Sequence, residues 1–238
     1  MSFLSEGFMR LILRAAIETI FPPRESEVVV RQATRDAIAR LVMPQIVSLA
    51  VNKEEIEPLS VTALLPYRTE LIQSLVLEAK FEKNRRAQAL LGSVVTDYIK
   101  VWSKTRTFEG QPPPNMILVP LPLGEKRRKE RGYNQVEEVS LFAMQTLHAD
   151  DDVFTIRLAT DLLMRVRETA PQMTLGKAAR LLNMREAFGL AHPTSPLDPS
   201  LTYILLDDVV TTGASLAAAH DTLIKAGAKQ ILVLALAH

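Results

Sequence analysis

The chain has no cysteine among its 238 residues. That excludes disulfides, thiolate zinc sites, iron–sulfur clusters and cysteine nucleophiles. It agrees with a reducing compartment, and a cytoplasmic location is expected. No apolar run approaches the ~20 residues that span a bilayer. The N-terminal stretch FMRLILRAAIETIF comes nearest, but Arg10, Arg14 and Glu18 recur along it every four residues. Phe8, Leu11, Ile12, Ala15, Thr19 and Ile20 form the opposite face, so it reads as an amphipathic helix packed on the domain or on a partner.

Several phosphate and metal signatures are also missing. There is no G-x-G-x-x-G and no H-E-x-x-H. Gly176-Lys177 is not a Walker phosphate loop, because Pro171 stands at the first glycine position and Ala178 replaces Ser or Thr. Aromatic residues make up 5% and are not interleaved with basic ones, so no stacking platform for single strands is indicated. A net charge of +1 gives no global basic field, although a local basic patch is left open. His148, His192, His220 and His238 are scattered, and Trp102 reads as core packing.

What is present is an ordinary globular composition, 47% hydrophobic and 23% charged, long enough for a packed core. Pro22 and Pro23 end the first helix. Residues 27–51 read as helix with a break at Pro44, and VNKEEIEPLS as a connector. VTALLPY reads as a strand. RTELIQSLVLEAKFEKNRRAQALLGSVVTDYIKVW has helical period, with a break near 82–85. MILVPLPL reads as a buried strand, GEKRRKERGYNQ as a charged loop and VEEVSLFAMQTLH as a helix. Residues 161–187 are mixed, with helix after Gly176. The last unit is TYILL (strand), ASLAAAHDTLIKA (helix capped by Gly227) and QILVLALA (strand). Strand–turn–helix–strand with continuous apolar strands predicts a parallel sheet covered on both faces. The expected division is a helical segment at 1–60 and an α/β domain at 61–238.

The stretch LLDDVVTTGAS, 205–215, falls where such a sheet collects ligands. The amides opening the following helix have no internal partners and, with the helix dipole, suit an anion. Gly213 permits close approach or a positive φ, and Thr211, Thr212 and Ser215 add hydroxyl donors. Asp207 and Asp208 would repel a phosphate but would accept from sugar hydroxyls or help to hold a divalent cation. The segment therefore reads as one half for a ribose and one half for its 5′-phosphate. The alternative is a plain strand-to-helix turn with capping residues.

These residues resemble the ribose-phosphate signature of the type I phosphoribosyltransferases. VPLPL at 119–123, ERGYNQ at 130–135, RVRETAPQ at 165–172 and the set Leu175, Arg180, Asn183 and Phe188 narrow the resemblance to the ComF family of competence-associated, phosphoribosyltransferase-like proteins. The resemblance implies a doubly wound α/β sheet and a site for phosphoribosyl pyrophosphate with Mg²⁺. It implies that Asp207 and Asp208 serve catalysis and face the ribose hydroxyls and Mg²⁺, with Val209 beside them. Thr211, Thr212, Gly213, Ala214 and Ser215 would clasp the 5′-phosphate. Pro122 and Leu123 would approach the pyrophosphate, with Lys80, Arg127, Arg128 and above all Arg131. EKRRKER at 125–131 carries five basic and two acidic residues, which suits pyrophosphate and Mg²⁺. Arg165 and Gln172 lie in a segment that could close over the ligand.

Two departures are informative. ComF-like proteins typically carry a four-cysteine zinc segment after an apolar-Phe-Pro stretch; here IFPP is followed by Arg24, Glu25, Ser26 and Glu27, so no zinc is expected and helices replace the ribbon. Thr211 stands where enzymes acting on 6-oxopurines carry an aspartate, which argues against a hypoxanthine or guanine acceptor. Two roles follow from the resemblance. One is phosphoribosyl transfer to an unidentified acceptor. The other is a non-catalytic role in DNA uptake through competence proteins or single-stranded DNA. Self-association is left open.

Overall fold

The computed structural model describes residues 22–49, 58–110, 114–147, 154–166, 187–192 and 196–238. The N-terminal amphipathic stretch, His148, Gln172, Leu175, Arg180 and Asn183 lie outside them. Among the described residues two short helices come first, α1 (Glu25–Gln32) and α2 (Arg35–Ala39). Strand β1 (Gln45–Leu49) follows, where helix was expected. Thr34 interrupts the helical run by accepting the Ala37 amide at 3.1 Å, which caps α2. Beyond Pro44 the β-branched pair Ile46 and Val47 favours a strand, and β1 pairs antiparallel with β2 (Leu59–Leu65). The boundary expected at residue 60 thus runs through a sheet: β1 and the start of β2 lie on its N-terminal side.

Helices α3 (Glu70–Phe81) and α4 (Arg85–Phe108) meet at the expected break. Asn84 makes that break, since its side-chain oxygen accepts the amides of Arg86 and Ala87. Strand β3 (Asn115–Pro120) leads to α5 (Glu125–Arg131) and α6 (Gln135–Leu147). The charged stretch holding α5 was expected to be a loop. It is helical because its charges complement the helix dipole: Glu125 lies in the first turn, and Arg128, Lys129 and Arg131 lie in the last. Gly132, at φ 75°, ends it.

Strands β4 (Thr155–Leu158), β5 (Leu163–Arg165) and β6 (Phe188–Leu190) precede β7 (Thr202–Val209), α7 (Ala214–Lys225) and β8 (Gln230–Ala237). The six-stranded sheet has the order β1-β2-β8-β7-β3-β4, with every pair parallel except β1 and β2. β5 and β6 form a separate antiparallel pair.

The sheet is covered on both faces, as its continuous apolar strands predict. Ile204 and Leu206 of β7 face one core with residues of α1 to α4 and α6. Tyr203 and Leu205 face the other, with Leu216 and Leu223 of α7, Leu163 and Phe188. The α/β class expected from sequence is the one the chain forms. Among the described residues, no helix is long and apolar enough to cross a membrane.

Candidate functional site

β7 lies inside the sheet, and the two acids sit at its C-terminal end. A cavity of about 360 Å³ opens there. Its walls come from several parts of the chain: the loop after β3 (Leu121, Pro122, Leu123), Arg127 and Arg131 of α5, Gln135 of α6, Lys80 of α3, Tyr67, Arg165 and the turn 207–216.

The two acids have different surroundings. Asp208 is 8% exposed and its carboxylate is well supplied with donors. Oδ1 accepts the Val209 amide at 2.7 Å, and Oδ2 accepts the Gln135 side-chain amide at 2.7 Å. Lys80 Nζ lies 3.1 Å from the same Oδ2. Burial pushes the Asp208 carboxyl up, but Lys80, Gln135 and the Val209 amide outweigh it and hold the group below the usual carboxylate range. Asp207 is only partly covered and accepts the Asp208 amide at 2.7 Å through Oδ1. Burial first, and then the neighbouring Asp208 charge, push its carboxyl up to about 8. The cavity floor therefore holds one firmly ionised acid beside one whose ionisation the fold opposes.

The turn beyond the acids is open to solvent at Thr211 and Thr212. Gly213 precedes α7 at φ 69°, a conformation that other residues rarely adopt. A Cβ there would fall 1.8 Å from Leu49 Cδ1, so β1 packs directly under the turn. No side chain caps α7. The first helical hydrogen bond runs from the Ala217 amide to the Gly213 carbonyl, so the amides just before it lie outside the helical ladder.

The ERGYNQ segment is the hub of the site. Arg131 stacks over Phe81, 4.9 Å from the ring centre, and donates to Gln135 Oε1 at 3.0 Å. Tyr133 donates to the Ala79 carbonyl and accepts the Lys83 amide, which pins the α3–α4 junction next to Lys80. Lys83 takes a positive φ of 50° there. Asn134 donates to the Leu121 carbonyl at 3.0 Å and so holds the loop that carries Pro122 and Leu123.

Of the residues singled out from sequence, the cavity brings together Lys80, Pro122, Leu123, Arg127, Arg131, Arg165, Asp207, Asp208, Val209, Thr211, Thr212, Gly213, Ala214 and Ser215. Arg128 is not among its lining residues. It forms a two-pronged pair with Glu137 of α6, at 2.9 and 3.2 Å. Some lining residues, Leu216 among them, carried no signal of their own. Tyr67 is another, and Gln135 was visible only as the last letter of ERGYNQ. His192 and Asp161 are exposed and 4.0 Å apart, and neither lines the cavity.

No family model matches the chain. Competence protein F of Haemophilus influenzae is 31% identical over 182 residues, which is 76% of this chain and 69% of the relative. The DNA utilization protein YhgH of Salmonella typhi is 30% identical over 165 residues, 69% of this chain and 66% of the relative. That of Escherichia coli K12 is 27% identical over 162 residues, 68% and 65%. The chain thus spans about two thirds of the length of the relatives it matches. The adenine phosphoribosyltransferase of Leishmania tarentolae, matched over 85% of this chain and 72% of its own, has a TM-score of 0.35 and 12% identity, too loose to bear on fold or chemistry. Identity of 31% across 69% of Competence protein F stands beside a cavity built from the segments that carried the resemblance, and the chain is a member of the ComF family.

Proposed function

We propose that the cavity binds phosphoribosyl pyrophosphate together with Mg²⁺ and that the chain is a phosphoribosyltransferase-like protein. The observation that carries this reading is the convergence of three unlike elements on one cavity. These are the acids ending β7, the uncapped start of α7 with its hydroxyls, and the cations Lys80, Arg127 and Arg131. A sugar bearing a phosphate at one end and a pyrophosphate at the other has the complementary groups.

In this reading the amides opening α7 and the hydroxyls of Thr211, Thr212 and Ser215 donate to the 5′-phosphate. Asp207, the acid accessible from the cavity, accepts from a ribose hydroxyl. Asp208 is already saturated and holds Asp207 and the strand end in place. Arg127 and Arg131 hold the pyrophosphate and take up the charge that develops as it departs. Asp207, together with the ligand's own phosphate oxygens, would hold the cation; the described residues contain no cluster of three metal-ligating side chains. A cation held there would supply charge screening for the pyrophosphate. Thr211 leaves the acceptor side without the carboxylate expected for 6-oxopurines.

Calorimetric titration with phosphoribosyl pyrophosphate and Mg²⁺ tests the reading. The expected result is Mg²⁺-dependent binding weakened about tenfold or more in Asp207→Asn, since a charge-assisted contact is worth roughly 1.5–3 kcal/mol. No binding at millimolar ligand would overturn it. The names of the relatives favour a second reading, a role in DNA uptake in which the cavity binds its ligand without turnover. Release of pyrophosphate on adding candidate acceptors separates the two.

A further inference from the structure

Gln135 lies between the basic and the acidic halves of the cavity and is 4% exposed. Its Oε1 accepts from Arg131 at 3.0 Å, and its Nε2 donates to Asp208 at 2.7 Å. The amide has one electrostatically acceptable orientation. Turned over, it would set donor against guanidinium and acceptor against carboxylate. Asp208 passes the constraint on, because its other oxygen accepts the Val209 amide just before the turn that leads to α7. A continuous chain of hydrogen bonds, Arg131–Gln135–Asp208–Val209, therefore joins the basic arm to the acid turn. Lys80 also pairs with Asp208, but it reaches that acid from α3 and makes no bond to Arg131 among the contacts described.

We propose that Gln135 is a positioning residue that couples anion binding at Arg131 to the geometry of the acid turn, so that the two ends of the ligand bind cooperatively. This rests on the reading of the cavity given above and deepens it. A guanidinium carries five N–H donors, and Gln135 engages one of them, so an anion can bind the others without breaking the chain. The anion orders the guanidinium, the guanidinium orders the amide, and the amide orders Asp208. A second ligand at the turn then finds that ordering already done.

The test splits the ligand in two. Inorganic pyrophosphate and ribose 5-phosphate are titrated into the full chain at fixed Mg²⁺, each alone and each in the presence of the other. The proteins are the wild type, Gln135→Met and Gln135→Glu. In the wild type each ligand is expected to raise the affinity for the other by about fivefold or more, equally in both directions. In both variants that factor falls to about one while pyrophosphate still binds. Gln135→Met removes both bonds. Gln135→Glu keeps the acceptor for Arg131 and opposes Asp208, so it also reads the coupling should the methionine variant fail to fold. A factor that persists in the variants, or that is missing from the wild type although both ligands bind, overturns the proposal. Failure of either ligand to bind the wild type overturns the cavity reading, and the proposal with it.

Discussion

Glu78 and Lys80 are close neighbours on α3, yet they serve two polar clusters of opposite character. Glu78 is fully buried and closed off. It accepts from Arg24 at 3.2 Å, Ser26 at 2.7 Å and Asn84 at 3.0 Å, and it does not line the cavity. Lys80 pairs with Asp208 at the cavity floor, beside a second acid. Burial raises the Glu78 carboxyl, but Arg24, Asn84 and Ser26 more than offset this and hold it below its ordinary value. Asp207 is pushed the other way. The first cluster is balanced and needs nothing further. The second leaves an acid whose ionisation the fold opposes, and a ligand supplying hydroxyls or a cation resolves that conflict. A buried carboxylate is thus no sign of function by itself; an unbalanced one that opens on a cavity is.

The largest effect should come from breaking the balanced cluster. Glu78→Ala leaves Arg24 to Glu82 and Glu27, strips Ser26 and the Asn84 side-chain amide of their buried acceptor, and removes a tie between α1 and α3. The expected loss is about 3 kcal/mol, read by calorimetry as a Tm about 6–12 °C lower. The folded fraction should still bind phosphoribosyl pyrophosphate normally. If binding falls in step with stability, the two clusters are not separable.

Next comes Arg131→Ala at the cavity. It removes a charge-assisted contact and the start of the Gln135 chain, and should weaken phosphoribosyl pyrophosphate about tenfold by titration with little change in Tm.

The third test uses pH. A carboxyl whose folded pKa is raised favours the folded state while it stays protonated. Its contribution shrinks as pH climbs from the ordinary 3.8 towards about 8. Asp207→Asn should therefore melt above the wild type, with the gap growing from pH 5 to about pH 8.5. A gain of about 1 kcal/mol, or about 2–4 °C, is expected at the upper end, after allowance for the side chain's partial exposure. Glu78 and Asp208 have the opposite sign: their lowered values stabilise the fold above the usual carboxylate range, and the benefit is lost as pH falls through the folded value. The smallest effect should be that of Arg128→Ala. Arg128 is half-exposed although Glu137 is mostly covered, so stability should change by under about 1 kcal/mol, and affinity for phosphoribosyl pyrophosphate by no more than about twofold.

Much of the sheet was legible because its central strands are nearly continuous apolar runs. MILVP, TYILL and QILVLALA announce themselves, and the two acids at the end of β7 mark where a ligand would sit. The α3–α4 break was legible through a cluster of charged and polar residues around Asn84. β1 was not, because five residues with mixed exposure look helical until a partner strand is known. The same holds for β5 and β6, three residues each, whose pairing spans a long stretch of sequence. α5 was hidden because seven mostly charged residues look like a loop unless the order of the charges is weighed against the helix dipole. Within the site, the cations could be counted from sequence but not aimed. Arg127 and Arg131 line the cavity, while Arg128 turns to Glu137. Gln135 is neutral and gave no charge signal, and its partner Asp208 is far away in sequence.

Gly213 has a consequence for how such a chain can change by descent. Two separate constraints hold the position: its φ of 69° and the Leu49 methyl that fills the space a side chain would need. Relieving one leaves the other in force. Shrinking residue 49 makes room for a Cβ but does not make the backbone conformation acceptable, and that conformation alone costs an ordinary residue about 1 kcal/mol. No single step, and no compensating change at residue 49, opens a smooth route away from glycine. Diversification of the turn must then proceed through its neighbours, Thr211, Thr212 and Ser215, whose side chains meet no such double lock.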